Sequence, residues 1–303
     1  MRLIFIFVDG IGLGRPGNDN PFVFSETAGL SDLLEGEHLT KEKKGFIGSK
    51  ATLLGVDATL GISGLPQSAT GQTALFTGIN AAYYLGNHLR GFPNGPLRNI
   101  IAEHSIFRQL KKMGCQVAFI NAYRPPFFDL LKHGLPGNRY SCSTLITYYG
   151  GLRFQGIEDI KSGKALYMDI TNEVLQRLGF AVTMISPEKG AKRLIQISRD
   201  YDFCLFEYFL SDLAGHLGDR NEARRVISIL DRFIGRVAEL INQDEEMILI
   251  SSDHGNLEDL SSRNHTYNEV PVLLVGDHNA RNKFNHINSL VDILPGIKEV
   301  LNY

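Results

Sequence analysis

Met247-Ile248-Leu249-Ile250-Ser251-Ser252-Asp253-His254-Gly255-Asn256 decides how the rest of this 303-residue chain is read. Residues 247–250 are a short run of mostly branched apolar side chains, the signature of a strand buried on both faces of a parallel sheet. Two serines follow, then Asp253, His254 and Gly255. In open α/β sheets, ligands gather at the carboxyl ends of the strands. A carboxylate and an imidazole at such an end can reach one metal ion together, with Gly255 letting the backbone turn just beyond. The plainer reading is a polar turn after a strand, and three residues alone do not choose between the two. The other strand ends do, because they carry matching chemistry.

Residues 3–8, LIFIFV, form a second such run and deliver Asp9. Gly10, Gly12 and Gly14 come next, but G-x-G-x-G is not the spacing of a dinucleotide loop and no helix pattern follows at once. Asp9 therefore reads as a strand-end ligand. A strand over 202–208 leads to Ser211-Asp212-Leu213-Ala214-Gly215-His216. Asp212 and His216, four apart, can converge on one ion whether the backbone coils or makes a helical turn. His265 follows a polar loop and precedes an apolar strand at 270–275. Gly64 and Pro66 mark a turn before a helix over 69–77, which places Ser68 near a helix N-terminus. Two roles fit it: an N-cap, or a nucleophile backed by free N–H groups and the helix dipole facing a phosphate.

A strand over 51–56, a helix over 105–113 stopped by Gly114, a strand over 116–120 and helices over 169–178, 188–199 and 221–241 complete a βα rhythm, hence an α/β fold. A C-terminal helix starts near Asn288 or Ser289, and Pro295 should end or kink it. The rhythm breaks after residue 122, where Pro125-Pro126, Pro136-Gly137, a Ser/Cys/Thr cluster at 141–144 and Gly150-Gly151 read as an inserted cap or lid. The division is a core over 1–122 and 176–303 with an insertion over 123–175.

Hydrophobic residues make up 43% of the chain and charged residues 21%, with a formal charge of -2 and a pI near 6.5. A nucleic-acid or membrane-surface binder would carry a basic bias, so neither partner is expected. No apolar run approaches the roughly 20 residues that span a bilayer. Cys115, Cys142 and Cys204 are scattered and odd in number, which fits a reducing cytoplasm, with Cys115 and Cys204 as buried thiols beside strands.

Asp9, Ser68, Asp212, His216, Asp253, His254 and His265 thus share loop positions close to strands. Imidazole with carboxylate suits Zn²⁺ or Mn²⁺, and the count matches two ions with about three protein ligands each. Two divalent ions, a hydroxyl and a small phosphorylated substrate make one mechanism: attack of the activated serine on phosphorus, with charge neutralised on both oxygens in line. Arg15, Arg90, Arg124 and Arg139 are candidate phosphate clamps, since a guanidinium grips phosphate in a two-pronged fork. The competing class is a non-catalytic metal-stabilised ligand-binding or sensor protein, for which a serine at the ion serves no purpose.

With these residues in view, the chain resembles the alkaline phosphatase superfamily, in the branch of the cofactor-independent phosphoglycerate mutases, with phosphopentomutase next. Val8-Asp9-Gly10, Ser68-Ala69-Thr70-Gly71, Asp212-Leu213-Ala214-Gly215-His216 and Ser252-Asp253-His254-Gly255-Asn256 with His265-Thr266 carry the resemblance, in that order. It implies a three-layer α/β core, a mostly parallel sheet with helices on both faces, plus a small inserted cap. It implies that Asp9, Ser68, Asp253 and His254 hold one ion, that Asp212, His216 and His265 hold the other, and that Ser68 carries a phosphoserine. The chain departs from the mutases at Gln72, where they have histidine, and in having only the 123–175 insertion in place of their large second domain. Phosphatase or phosphodiesterase and phosphomutase both stay open; sulfatase chemistry is disfavoured because no C-x-P-x-R segment stands at position 68.

Overall fold

The computed structural model describes residues 1–135, 137 and 139–302; Pro136, quoted above as a loop marker, lies outside them. Its centre is one seven-stranded sheet of β1 (Arg2–Val8), β2 (Phe46–Ile47), β3 (Ala51–Val56), β4 (Val117–Phe119), β5 (Phe203–Tyr208), β6 (Glu246–Ser251) and β7 (Val270–Val275). The spatial order is β2-β3-β7-β6-β1-β5-β4. β4, β5, β1 and β6 are parallel, while β7 opposes both β6 and β3, and β2 opposes β3. Parallel neighbours need a crossover, which helices supply for the central strands. No helix separates β6 from β7, so the chain returns alongside β6 in the opposite direction.

β1 shows why both faces are covered. Successive side chains of a strand point to opposite faces, and here both sets are apolar. Leu3, Phe5 and Phe7 pack into a cluster with Phe76, Phe107, Leu294 and Ile297. Ile4, Ile6 and Val8 pack into a second cluster with Leu194, Val226, Leu230 and Phe233. The first layer includes the helices Ser68–Thr77, Ile106–Lys112 and Leu290–Leu301; the second includes Pro187–Ser198 and Arg220–Leu240. The result is the expected three-layer α/β architecture.

Some elements differ from the sequence reading. The helix expected over 169–178 shortens to Glu173–Arg177, because the Asp169 carboxylate accepts the N–H groups of Asn172 and Val174 and folds the preceding residues into a turn. Pro295 does not end the last helix, which runs Leu290–Leu301 through it. A proline costs one backbone hydrogen bond and crowds the turn before it, but Ile293, Leu294, Ile297 and Val300 are buried on both sides of it. Residues 123–175 are more ordered than their turn formers suggest, with helices Pro125–Lys132, Cys142–Tyr149 and Ile157–Lys161. Cys142–Tyr149 buries six consecutive residues, Cys142 to Thr147, and packs on the Ser68–Thr77 and Gly95–His104 helices. Cys204 is buried as expected, but Cys115 is only half-buried, since it sits in the turn ahead of β4.

The helix Ser68–Thr77 meets the chain beyond β6 at Gly71, where an added Cβ would stand 2.6 Å from the Asp253 carbonyl oxygen. Helix propensity alone favours alanine over glycine by about 1 kcal/mol. Gly71→Ala is nevertheless expected to destabilise the fold by about 1–3 kcal/mol, the cost of overpacking. Chemical denaturation checks this, and a stabilised variant would show that the contact yields.

Candidate metal centre

β6, β1 and β5 are consecutive in the sheet, roughly 5 Å apart at each step, and their carboxyl ends open on one edge. Asp9 leaves β1 directly, Asp253 and His254 leave β6 after Ser252, and Asp212 lies just beyond β5 in the helix Leu210–Leu217. In that helix Asp212 and His216 are four apart and share a face. Ser68 opens its own helix as the first residue, with Gln67 at the N-cap. The N-cap reading of Ser68 therefore does not hold, and its hydroxyl faces the strand ends instead.

Two clusters form there. In the first, three oxygens surround one nitrogen: Ser68 Oγ, Asp9 Oδ1 and Asp253 Oδ2 lie 3.1, 3.3 and 3.5 Å from His254 Nε2. Asp9 Oδ1 is buried and has no hydrogen-bond partner. Gln72 Nε2 donates to Asp9 Oδ2 at 3.2 Å and to Asp253 Oδ2 at 3.0 Å, clamping the two carboxylates side by side. In the second cluster, His216 Nε2 and His265 Nε2 face each other at 3.2 Å, with the Asp212 oxygens 3.5 and 3.7 Å from them. His216 Nδ1 lies 2.7 Å from the Arg263 carbonyl and His265 Nδ1 2.7 Å from that of Pro66. A carbonyl only accepts, so each Nδ1 carries a proton and each ring presents its Nε2 to the inside of the cluster. The His254 and His265 rings stack at 3.7 Å and join the clusters. Asp212 reaches both, for its carboxylate also groups with Asp9 and His254 within 4.8 Å.

Burial, reinforced by the charge of Asp253, raises the Asp9 carboxyl well above its usual range, and burial raises Asp253 as well. Burial opposes charge on His254, yet Asp253 and Asp9 outweigh it and push that imidazole up to about 10. Burial and the neighbouring His254 drive His265 down to about 4. Carboxylates and lone pairs crowded in this way are relieved by a cation. The donor set fits divalent ions: two inward imidazole nitrogens with one carboxylate, and an orphaned carboxylate oxygen with a second acid, an imidazole and a hydroxyl.

All seven residues picked from the sequence come together. The four arginines do not. Arg15, Arg90, Arg124 and Arg139 are exposed. Arg124 lines a cavity of about 240 Å³ beside Asn121, Tyr123, Thr144, Glu207 and Phe209, and Arg15 lines a separate polar hollow. Gly255 matters for a reason other than the turn: its φ is not positive, but an added Cβ would stand 2.2 Å from Thr266 Oγ1. Glu207, on the strand preceding Asp212, was not singled out. It is buried, accepts the Ser143 hydroxyl at 2.6 Å, and is raised to about 7 by burial against that hydrogen bond, with the charge of Asp253 adding to the rise. A charged residue inside an apolar strand run was the available signal. Asn256, whose Nδ2 donates to Asp212 Oδ1 at 2.7 Å, was visible only as the end of a motif.

The model of the metalloenzyme superfamily matches residues 1–303. A 2,3-bisphosphoglycerate-independent phosphoglycerate mutase from Desulforudis audaxviator is 33% identical over 128 residues, covering 39% of this chain and 25% of that protein. The match thus spans about a quarter of the curated relative's length. Among solved structures, the PH0037 protein from Pyrococcus horikoshii superposes with a TM-score of 0.59 at 16% identity, covering 99% of this chain and 96% of the other. A cold-active alkaline phosphatase from Shewanella sp. does so with a TM-score of 0.57 at 12% identity, covering 99% and 100%. Both likenesses concern the fold.

The raised Glu207 carboxyl predicts a pH-dependent variant. The folded chain holds this proton up to about pH 7, whereas the unfolded chain releases it near the ordinary glutamate value, so this group's contribution to stability falls as pH rises across that window. Glu207→Gln has no proton to lose. With chelator present, its stability relative to the parent is expected to rise by up to a few kcal/mol between about pH 5 and pH 8. Denaturant midpoints at several pH values measure this, and a flat difference would place Glu207 among ordinary carboxylates.

Proposed function

The chain belongs to the metalloenzyme superfamily, and we propose that within it this protein is a two-metal phosphoryl-transfer enzyme. It acts on a small phosphorylated metabolite through a phosphoserine at Ser68, as a phosphatase, phosphodiesterase or phosphomutase. One observation carries this reading: Ser68 Oγ, Asp9 Oδ1 and Asp253 Oδ2 converge on the single nitrogen His254 Nε2. A ring nitrogen has one proton or one lone pair, so it serves one of three oxygens; a cation among them serves all. A serine–histidine–aspartate relay would put the carboxylate on Nδ1, but Nδ1 here faces the Gly255 carbonyl at 3.4 Å. The serine in that set also weighs against a purely structural or sensory site.

On this reading Asp9, Ser68, Asp253 and His254 hold one ion and Asp212, His216 and His265 the other, with Mn²⁺ or Zn²⁺ suiting the donors. Bound ions supply Lewis acidity, neutralising phosphate charge and favouring the ionised hydroxyl. The chain's own groups do the rest. Ser68 aims Oγ from the first turn of its helix, whose unpaired N–H groups face incoming phosphate oxygens. The Ser68 hydroxyl gives its proton to solvent, Oγ bonds to phosphorus as the P–O ester bond breaks, and the leaving oxygen takes up a proton from solvent. Water, or a second hydroxyl of the substrate, then displaces Oγ and restores Ser68. The cavity beside Glu207 and Arg124 accepts the remainder of the substrate, so part of the 123–175 insertion acts as the specificity element. Three unpaired cysteines support a reducing cytoplasm. Among the described residues no helix is long and apolar enough to cross a membrane.

Purified protein with Mn²⁺ is expected to turn over an aryl phosphate, and Ser68→Ala to lose at least about 10³-fold of that kcat, the usual cost of removing a covalent nucleophile. Equal turnover by both proteins would take Ser68 out of the mechanism. ³¹P NMR with a phosphoglycerate then separates the outcomes: inorganic phosphate marks a phosphatase and an isomerised ester marks a mutase.

Metal binding should also appear without turnover. Mn²⁺ added to chelated protein at about a hundred times its Kd is expected to stabilise the fold by about 2.7 kcal/mol. His216→Ala should lose much of that gain while keeping the metal-free melting temperature. A melting curve indifferent to Mn²⁺ and Zn²⁺ would remove both ions from the account.

A further inference from the structure

The loops that face the ions are far apart in sequence, yet they share one buried carboxylate outside the ligand set. Glu258 is 2% exposed. Its Oε2 accepts the backbone N–H of Gly12 at 2.8 Å and that of Asn256 at 2.7 Å. Its Oε1 accepts the Asn268 amide at 2.9 Å and the Thr266 hydroxyl. Three of these donors belong to different ligand-bearing stretches: Gly12 to the loop of Asp9, Asn256 to that of Asp253 and His254, and Thr266 to that of His265, which it follows directly. Space is cut for this carboxylate, since a Cβ on Gly12 or on Gly255 would stand 2.4 or 2.3 Å from Oε1. No ion pair to Glu258 occurs among the described residues.

We propose that Glu258 is the positioning residue of the metal centre, holding the Asp9, His254 and His265 loops in register so that the ions meet a preformed site; the inference rests on the two-metal reading above. All four partners are donors, a set that only a doubly accepting carboxylate meets without rearrangement. Burying an unpaired negative charge is costly, and hydrogen bonds to a charged group return more than neutral ones do. A neutral acceptor would tie the same loops at lower desolvation cost. What the carboxylate adds is negative charge within the loops that surround two cations.

The variants separate frame from charge. Glu258→Gln keeps one oxygen for the two backbone N–H groups and turns its NH₂ toward Thr266 and Asn268, whose hydroxyl and amide can both reverse roles. Glu258→Ala leaves two buried N–H groups without partners. Isothermal titration of chelated protein with Mn²⁺ is expected to show affinity falling about 10–100-fold in Glu258→Ala, as for other groups that orient metal ligands, and only a few-fold in Glu258→Gln. Arg281→Lys is the control for general destabilisation. Arg281 is buried and bonded to Gly276, Gly48, Ser49 and Thr52, so its variant should melt lower with Mn²⁺ affinity unchanged. Glu258→Ala binding Mn²⁺ as tightly as the parent while melting lower would overturn the proposal. Should that variant not fold, Thr266→Val decides: several-fold weaker binding supports the positioning role, and unchanged binding overturns it. A parent protein that binds no Mn²⁺ would instead defeat the two-metal reading itself.

Discussion

His216 and His265 turn their Nε2 atoms toward each other at 3.2 Å, and Asp9 and Asp253 crowd the same nitrogen of His254. His254 Nε2 can serve only one of the oxygens around it at a time, and the two facing imidazole nitrogens can share only one proton. Burial, with the Asp253 charge adding to it at Asp9, raises the Asp9 and Asp253 carboxyls and disfavours carrying both charges there. They stay in place because each is fixed from behind. The Arg263 and Pro66 carbonyls hold the two imidazoles, Gln72 clamps the two carboxylates, and Asn256 Nδ2 bonds to Asp212. An arrangement that gathers acids and imidazole nitrogens inward, each bonded from its outer side, suits a cation.

The sheet makes such crowding attainable. Parallel neighbours end on the same edge, so acids leaving β6, β1 and β5 are separated by strand spacing rather than by loop flexibility. The phenylalanine-rich face of β1 seats the Ser68–Thr77 helix against that edge, and Gly71 lets it come within backbone contact of Asp253. Packing in the core thereby sets the distance from the hydroxyl to the carboxylates. Catalysis by positioned charge depends on distances of this kind being fixed before substrate arrives.

What could be read from the chain alone follows a physical division. Asp9, Asp212, Asp253 and His254 stand just beyond apolar runs, where periodicity marks a strand and polarity marks its end, so both the element and the convergence of these groups were legible. Ser68 was legible as a helix start but not as nucleophile or cap, because that depends on what its hydroxyl faces. The reversed direction of β7 was invisible, since an apolar run carries no arrow. The helices within 123–175 were obscured by the prolines and glycines that begin and end them. Glu258 was beyond reach: Gly12, one of its four donors, is 246 residues away, and nothing local distinguishes this glutamate from a solvated one. Gln72 could be noticed only as a departure from the resembled family; its double hydrogen bond exists only once the helix packs on the strand ends.

The charge in the site also bears on specificity. Among the described residues, no lysine or arginine pairs with Asp9, Asp212 or Asp253; their ion-pair contacts are with histidines alone. On the two-metal reading, the ions would overcompensate the acids of the site and leave the pocket attractive to a phosphate dianion. Recognition of the phosphoryl group would then be generic, supplied by the ions and by the helix N-terminus at Ser68. Discrimination among phosphoesters must come from groups farther out. The cavity that holds Tyr123, Arg124, Thr144 and Glu207 offers a cation, aromatic faces and an acid poised near neutrality in one place. Tyr123, Arg124, Pro126, Phe127, Ser141 and Thr144 of its lining belong to the stretch that departs from the βα rhythm, so on the proposed reading the part of the chain least constrained by the sheet would be the part free to choose the substrate.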